Sequence, residues 1–220
     1  CMTGCIVQCS NIVHDKDGNY LTSALEFETL TLLGSCCAIN DWEDVADLDR
    51  LCDEIGLDTI ETGAAIAVFM DSGGMEWGDA EGAKDLLRKE MVNGTELGKN
   101  IGHGALAIGT ARGHDRIPVA KGQAMPAWDP RPLKATGITY ASSAMGADHT
   151  AGLVIDPKIT GEAAVVASQE IQIVNAICDS TGFCMFLGPT IDETRQFFTP
   201  FFGEEVSREE VADIGGQCLL

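Results

Sequence analysis

The sequence has few basic residues and no long apolar run. Its 14 Lys and Arg residues stand against 34 Asp and Glu residues, which gives a formal net charge of −20. A surface this acidic argues against nucleic acid or an anionic membrane as the partner, because both are themselves negatively charged. The longest apolar stretches, such as residues 63–70, are too short to span a bilayer. No basic segment followed by an apolar run opens the chain, so no signal peptide is recognised and we expect a cytoplasmic protein.

The sequence also lacks the composition of a disordered or fibrous protein. Hydrophobic residues make up 45% and charged residues 22% of its 220 residues, which is typical of a globular protein. This length suits one domain of ordinary size or two small ones. The chain starts at Cys1 with no Met before it, and we therefore expect it to be a piece of a longer protein.

The spacing of apolar residues predicts a mainly α fold. Within residues 41–55, side chains such as Val45 and Leu48 recur at steps of three or four, and Gly56 would end that helix in a left-handed conformation. No long run alternates apolar and polar residues at period two, and residues 15–19 indicate a short hairpin near the start of the chain. The predicted helices cover residues 41–55, 59–71, 80–91 and 161–178.

Residues 102–146 are rich in glycine and contain most of the seven prolines. We expect long loops here, with little regular structure, that divide two helical units. A stretch of this length without helices or strands is often functional. The predicted organisation is a helical domain over residues 1–132, which carries three closely spaced cysteines, and part of a second helical domain over residues 133–220.

Two segments resemble each other, residues 51–58 and residues 177–184, and we call them the first and the second motif. Both have the form apolar-Cys-Asp-x-x-Gly-apolar-(Asp or Cys), and both fall where an amphipathic helix is predicted to end. As helix terminators they explain the Gly and the apolar residue after it, but the Asp opposes the helix dipole. A carboxylate there can instead accept two hydrogen bonds from a planar ligand with adjacent N–H donors, such as a pterin or a guanine-like ring. The residues alone leave both interpretations open.

Nine cysteines without an export signal indicate a metal site rather than disulfides. Cys1, Cys5 and Cys9 are spaced by four, which places them on one face of a helix or lets them converge in a loop. An iron–sulfur cubane needs three or four converging thiolates, and a distant fourth ligand is normal. Zinc sites usually come as two short-spaced pairs, and buried cysteines would fit poorly beside Thr3 and Gln8. The spacing therefore favours a cluster, with zinc and a packing role as the alternatives.

Several further segments combine with the cysteine triplet and the two motifs in a specific order. These segments are Glu26-Phe27-Glu28-Thr29, Leu32-Leu33-Gly34-Ser35, Arg112-Gly113-His114-Asp115, Lys121-Gly122, Trp128-Asp129-Pro130-Arg131 and Gly146-Ala147-Asp148-His149. Together they resemble the aldehyde ferredoxin oxidoreductase family, the tungsten- or molybdenum-dependent bis-pterin enzymes. No single segment is decisive, but their order and combination are specific.

The resemblance implies a role for each matched residue. The ligands of a 4Fe–4S cluster would be Cys1, Cys5, Cys9 and Cys184. Each motif would hold one of two metal-binding pterins (molybdopterin). The pterin-binding residues would be Asp53, Leu57, Asp58, Asp179, Phe183 and Cys184. The catalytic residues would be Glu28, as the family's Glu beside the metal, and His149, as its active-site His.

The resemblance also implies an activity and its partners. It implies an oxidoreductase that converts a small aldehyde into a carboxylic acid and passes electrons through the cluster to ferredoxin or another iron–sulfur acceptor. The implied assembly is a homodimer or a complex with electron-transfer subunits. Two rivals remain: a reductase of aromatic thioesters, of the benzoyl-CoA type, and an electron-transfer or scaffold subunit without pterin. The pair Asp53 and Asp179 favours the enzyme, because a carrier needs neither.

Three features depart from the family's pattern. The triplet is Cys-x3-Cys-x3-Cys rather than Cys-x2-Cys-x3-Cys, Phe183 stands where Leu is usual, and Asp148 replaces a small or thiol residue beside His149. The family's β-rich N-terminal domain, which forms the base under the pterins, would precede Cys1. We therefore expect this chain to supply the helical middle part and a portion of the C-terminal part.

Overall fold

A computed structural model describes residues 3–219, and this part of the chain is mainly α, as the apolar spacing predicted. All four predicted helices are present, although the one over residues 80–91 is π-helical in its second half. The chain divides after Ala127 into two compact units. None of the helices between residues 3 and 219 is both long enough and apolar enough to cross a bilayer.

The first unit joins short antiparallel hairpins to a group of helices. The first hairpin closes through the predicted turn at residues 15–19, and Val13 pairs with Thr22 across it. The elements are β1 (Ile12–His14), β2 (Tyr20–Ser23), α1 (Phe27–Thr29), a π-helical turn (Leu30–Gly34), a 3₁₀ turn (Ser35–Cys37), α2 (Trp42–Ile55), α3 (Thr59–Asp71), α4 (Ala80–Asp85) with its π-helical continuation (Leu86–Met91), α5 (Glu96–Gly102), α6 (Ala105–Ala111), β3 (Val119–Ala120) and β4 (Gln123–Ala124).

The second unit is built around its longest helix, α8. The helices α7 and α10 both pack on α8, and the core beside α10 contains Ile177, Val206 and the fully buried Val211. The elements are α7 (Lys134–Ser142), α8 (Glu162–Thr181), a 3₁₀ turn (Met185–Leu187), α9 (Ile191–Phe202) and α10 (Arg208–Cys218).

Helix α3 forms the centre of the first unit. Residues 62–70 are all buried, so the helix is enclosed on every side. Gly63 allows the preceding backbone to come close, because a Cβ at this position would lie 2.5 Å from the carbonyl carbon of Leu32. The thiol of Cys37 donates to the carbonyl oxygens of Leu32 at 3.3 Å and Gly63 at 3.4 Å. These contacts hold residues 27–37, which we call the Glu28 segment, against α3.

The expectation of largely irregular structure over residues 102–146 is correct only in part. Loops are present, but α6, α7 and the β3–β4 hairpin lie in the same stretch. Ala105 and Ile108 of α6 are buried against α3. The Glu61 carboxylate on α3 accepts the backbone N–H groups of Ala105 at 2.8 Å and Ala124 at 2.9 Å. This packing outweighs the low helix propensity of the glycines. Composition alone therefore overestimates how much of the stretch is loop.

Candidate functional site

Glu28 is buried at the start of the Glu28 segment. Its side chain belongs to a residue that is only 7% exposed, and its Oε2 accepts the backbone N–H of Ala127 at 2.7 Å. The segment continues directly into a π-helical turn over Leu30–Gly34. Such widened turns are rare and often occur at functional sites. The hydrogen bond therefore fixes the carboxylate on a segment with unusual backbone geometry.

The first motif forms the end of α2 and the beginning of α3. Gly56 is left-handed at φ 84°, and the N–H groups of Gly56 and Leu57 both donate to the Cys52 carbonyl at 2.8 Å. Asp58 caps α3, because its Oδ2 accepts the Glu61 N–H at 2.6 Å. Asp53 is exposed in the last turn of α2, and its carboxylate makes no hydrogen bond or salt bridge within residues 3–219.

The second motif has the same local structure at the end of α8. Gly182 is left-handed at φ 74°, and the Phe183 N–H donates to the Cys178 carbonyl at 3.0 Å. Asp179 is exposed, like its counterpart in the first motif. The Phe183 ring lies 5.0 Å from a phenyl ring of α9, centroid to centroid. Cys184 is exposed and begins the 3₁₀ turn, since its carbonyl accepts the N–H of the turn's last residue.

The backbone geometry of the two motifs agrees with both interpretations, the helix terminator and the ligand site. Only the two carboxylates distinguish between them. The glycine and the apolar residue end each helix, as the terminator interpretation requires. Asp53 and Asp179 take no part in those caps. A Cβ at Gly56 or Gly182 would meet nothing within 4 Å in the described part of the chain, so the surface at each glycine is open. Two exposed carboxylates beside open surface fit a ligand with paired N–H donors.

The Glu28 segment and the first motif meet in the first unit. Thr29 follows Glu28, Thr59 follows Asp58, and the two threonine hydroxyl oxygens are 2.9 Å apart. Thr29 is buried and Thr59 is half-buried. A proposed catalytic carboxylate and a proposed pterin-binding residue are thus joined through their sequence neighbours.

The loop that carries Cys5 and Cys9 before β1, which we call the cysteine loop, has the chemistry of a thiolate site. Cys5 is half-buried and Cys9 is exposed, while Cys1 lies outside the described residues. The backbone N–H groups of Gln8 and then Val7 donate to the Cys5 sulfur and lower the pKa of its thiol. Cys5 and Cys9 thus have the chemistry expected of cluster ligands, and their role as such stays a prediction. Among the described residues of either unit, no three His, Cys, Asp or Glu side chains converge on one point.

His149 lies in the loop between α7 and α8 of the second unit and is half-buried. A tight turn precedes it, because the Asp148 N–H donates to the Gly146 carbonyl at 2.8 Å. The Asp148 carboxylate accepts the Thr150 hydroxyl at 2.7 Å. The Asp148 side chain beside His149 is therefore hydrogen-bonded within the loop that carries both residues.

Sequence reasoning missed Asp49, which lies one helical turn before Asp53. It is 4% exposed, and its Oδ2 accepts the hydroxyl of Thr22 on β2 at 2.6 Å. Burial raises the pKa of the Asp49 carboxyl, and the nearby Asp53 adds to the rise. The sequence of α2 does not show that Asp49 is buried, because the helix contains many acids and most of them lie at the surface. Asp53 is exposed, and Glu43 forms a salt bridge with Lys16. The bond attaches the hairpin after the cysteine loop to the helix that carries the first motif.

Asp49→Asn is expected to stabilise the full-length protein at neutral pH. The folded-state pKa of Asp49 is raised, so the folded protein favours the protonated carboxyl. The contribution of Asp49 to the free energy of unfolding is therefore fully present below the unfolded-state pKa and is lost as pH rises through the folded-state pKa. The amide removes that charge and still offers an oxygen to Thr22. We expect the thermal unfolding midpoint to rise at pH 8 and the gain to disappear as the pH falls toward about 4, the pKa of an unfolded Asp, as circular dichroism would measure. Asp17→Asn, the same change at an exposed site, is the control, and a lower midpoint for Asp49→Asn at pH 8 would contradict the account.

Comparison with known proteins agrees with the motif pattern. The model of the family described as "Aldehyde ferredoxin oxidoreductase, domains 2 & 3" matches residues 1–219. The tungsten-containing aldehyde ferredoxin oxidoreductase of Pyrococcus furiosus is 26% identical over 88% of this chain and 36% of the relative. The enzyme of the same name from Thermococcus kodakarensis is 27% identical over 89% of this chain and 37% of the relative.

A relative with a different name is similar over a comparable region. The aliphatic sulfonate oxidoreductase, WOR-like subunit, of Pyrococcus furiosus is 30% identical over 94% of this chain and 36% of that relative. The chain thus spans little more than a third of the length of the curated relatives that it matches. Since the family model covers nearly every residue, the chain belongs to the aldehyde ferredoxin oxidoreductase family.

Proposed function

We propose that the protein containing this chain oxidises a small aldehyde to a carboxylic acid at a tungsten- or molybdenum-bis-pterin centre. Electrons would leave through a 4Fe–4S cluster to ferredoxin or another iron–sulfur acceptor in the cytoplasm. The observation that carries the proposal is the repeated helix end, where Asp53 and Asp179 occupy the same place beside an open, left-handed glycine. A carrier without pterin would have no use for this repetition.

The chain offers residues for both cofactors. The cluster would be held by Cys1, Cys5, Cys9 and Cys184. The pterins would be held by Asp53, Leu57 and Asp58 in the first motif and by Asp179, Phe183 and Cys184 in the second. When bound, the metal centre supplies the two-electron chemistry and the cluster supplies the exit for electrons. Cys184 belongs to both sets, so we propose that it joins the cluster to one pterin.

The remaining work of the reaction is proton transfer and orientation of the substrate, and we assign it to Glu28 and His149. Oxidation of an aldehyde, as its hydrate, releases protons that a nearby base must accept. Glu28 is buried, and the Ala127 N–H holds its carboxylate in one orientation, as a general base requires. His149 has a ring that can hydrogen-bond the substrate oxygen or pass on the proton.

A second candidate is oxidation of an aliphatic sulfonate, favoured by the relative of that name at 30% identity over 94% of this chain. The scaffold also leaves open reduction of an aromatic thioester, as the motif pattern alone did. All three share the cofactors proposed above and differ in what the pocket beside the metal admits.

The test is a substrate comparison with the full-length protein prepared without oxygen. Acetaldehyde, a longer aliphatic aldehyde, an alkyl sulfonate and benzoyl-CoA would each be supplied with a viologen dye of the required oxidation state. The proposal predicts dye reduction with an aldehyde at a kcat/KM well above that with the sulfonate. Turnover of the sulfonate or the thioester alone would overturn the aldehyde assignment.

A further inference from the structure

We propose that the hydroxyl pair of Thr29 and Thr59 positions the Glu28 carboxylate relative to the first motif. The inference rests on the proposed function, because it concerns how Glu28 is held for its task. Neither threonine would touch substrate or metal in this account. Both are positioning residues that act through Glu28.

The contact has the geometry of a specific hydrogen bond. The two Oγ1 atoms are 2.9 Å apart, and Thr29 is only 6% exposed. A buried hydroxyl without a partner costs free energy, so the pair holds its two segments in one register. Thr59 is the first residue of α3 and directly follows Asp58, whose carboxylate caps that helix.

The bond adds to a close backbone packing that already limits how the two segments can move. The Leu32 backbone lies against Gly63 without room for a side chain. The Cys37 thiol bridges the carbonyl oxygens of the same two residues. These contacts lie at residues 32 and 37, whereas the start of the segment is held by other bonds. The threonine pair opposes a shift at that end, at residues 28 and 29.

The other anchor of Glu28 is the backbone of Ala127, whose N–H donates to Oε2 at 2.7 Å. A shift of the segment by a fraction of an ångström would lengthen this bond. Loss of the threonine pair should therefore become visible at the Ala127 amide, whether or not the enzyme turns over.

The test is Thr29→Val in the full-length protein, since valine keeps the branched shape and removes the hydroxyl. We expect kcat to fall by about tenfold, because a 1 Å misplacement of a catalytic group can cost about 10²-fold and the loss of one hydroxyl should shift Glu28 by less than that. The KM and the tungsten or molybdenum content should stay unchanged. Thr29→Ser should restore kcat, and Thr59→Val should reproduce the loss through the less buried partner. Thr31→Val is the matched control, because Thr31 is half-buried on the same segment and its hydroxyl donates to the carbonyl of Phe27, within its own turn.

Two further measurements separate positioning from general damage. Amide hydrogen exchange at Ala127 should be faster in Thr29→Val than in Thr31→Val. In a Glu28→Gln background, Thr29→Val should cost little further turnover, because the group that it positions is already disabled.

The outcomes distinguish this inference from the proposed function. Normal turnover of Glu28→Gln would overturn the proposed role of Glu28. If Glu28→Gln is impaired while Thr29→Val keeps full turnover and an unchanged Ala127 exchange rate, the positioning inference is wrong. It is equally wrong if the losses of the two variants multiply.

Discussion

Glu28→Gln in the full-length protein is expected to lower turnover by roughly 10²–10⁴-fold, the usual worth of a positioned acid–base group. The amide keeps the shape of the side chain and an oxygen for the Ala127 N–H, but it cannot accept the proton released by the oxidation. Iron and tungsten or molybdenum should remain at wild-type levels, because Glu28 is proposed to bind neither. Steady-state kinetics with an aldehyde and a viologen dye would measure the effect. Glu26→Gln, an exposed neighbour, is the matched control.

His149→Asn is expected to produce a loss of the same order, because the amide can donate a hydrogen bond but cannot pass a proton on. The exposed His103 provides the control substitution. If both Glu28→Gln and His149→Asn keep near-normal turnover with full metal loading, proton transfer runs through other groups and the catalytic assignment fails.

Asp53→Ala and Asp179→Ala are each expected to deplete the bound pterin and its metal. In the proposed site each change would remove two charge-assisted hydrogen bonds to the pterin, worth about 1.5–3 kcal/mol apiece, which corresponds to roughly 10²–10⁴-fold weaker retention. Tungsten, molybdenum and released pterin would be quantified in protein purified without oxygen. Glu54→Ala, an exposed acid beside Asp53 in the same helical turn, is the control.

The same variants distinguish a ligand-binding role from a purely structural one. An acid in the last turn of a helix opposes the helix dipole, so its removal should leave the cofactor-free protein as stable or slightly more stable. If the motifs were helix terminators only, the alanine variants would gain stability and keep their cofactor. Loss of cofactor without loss of stability supports the pterin role, and retained cofactor contradicts it.

The helix ends of the first unit could be predicted from the sequence because their signals are local. Asp41 accepts the Glu43 N–H at the start of α2, and Gly56 ends that helix in the left-handed conformation expected of a glycine. The equivalence of the first and second motifs was also visible, since both place Asp three residues before a helix-ending glycine. Short-range chemistry of this kind does not depend on the rest of the fold.

The parts that could not be predicted depend on contacts between distant residues. The helices α6 and α7 form in a glycine-rich stretch because they pack on α3 and α8, which composition does not reveal. The Thr29–Thr59 contact joins residues 30 positions apart, and the bond from Thr22 to Asp49 joins residues 27 positions apart. Nothing in the local sequence separates these threonines and this aspartate from ordinary surface residues.

The central claim, that this chain contributes the ligands of a cluster and of a bis-pterin metal centre, is tested most directly by the metal content of the full-length protein. The protein would be purified without oxygen and analysed for iron, tungsten, molybdenum and zinc by elemental mass spectrometry. The account predicts about four iron atoms and about one tungsten or molybdenum atom per chain. Iron without tungsten or molybdenum would instead indicate an electron carrier, and stoichiometric zinc without iron would contradict the cluster as well.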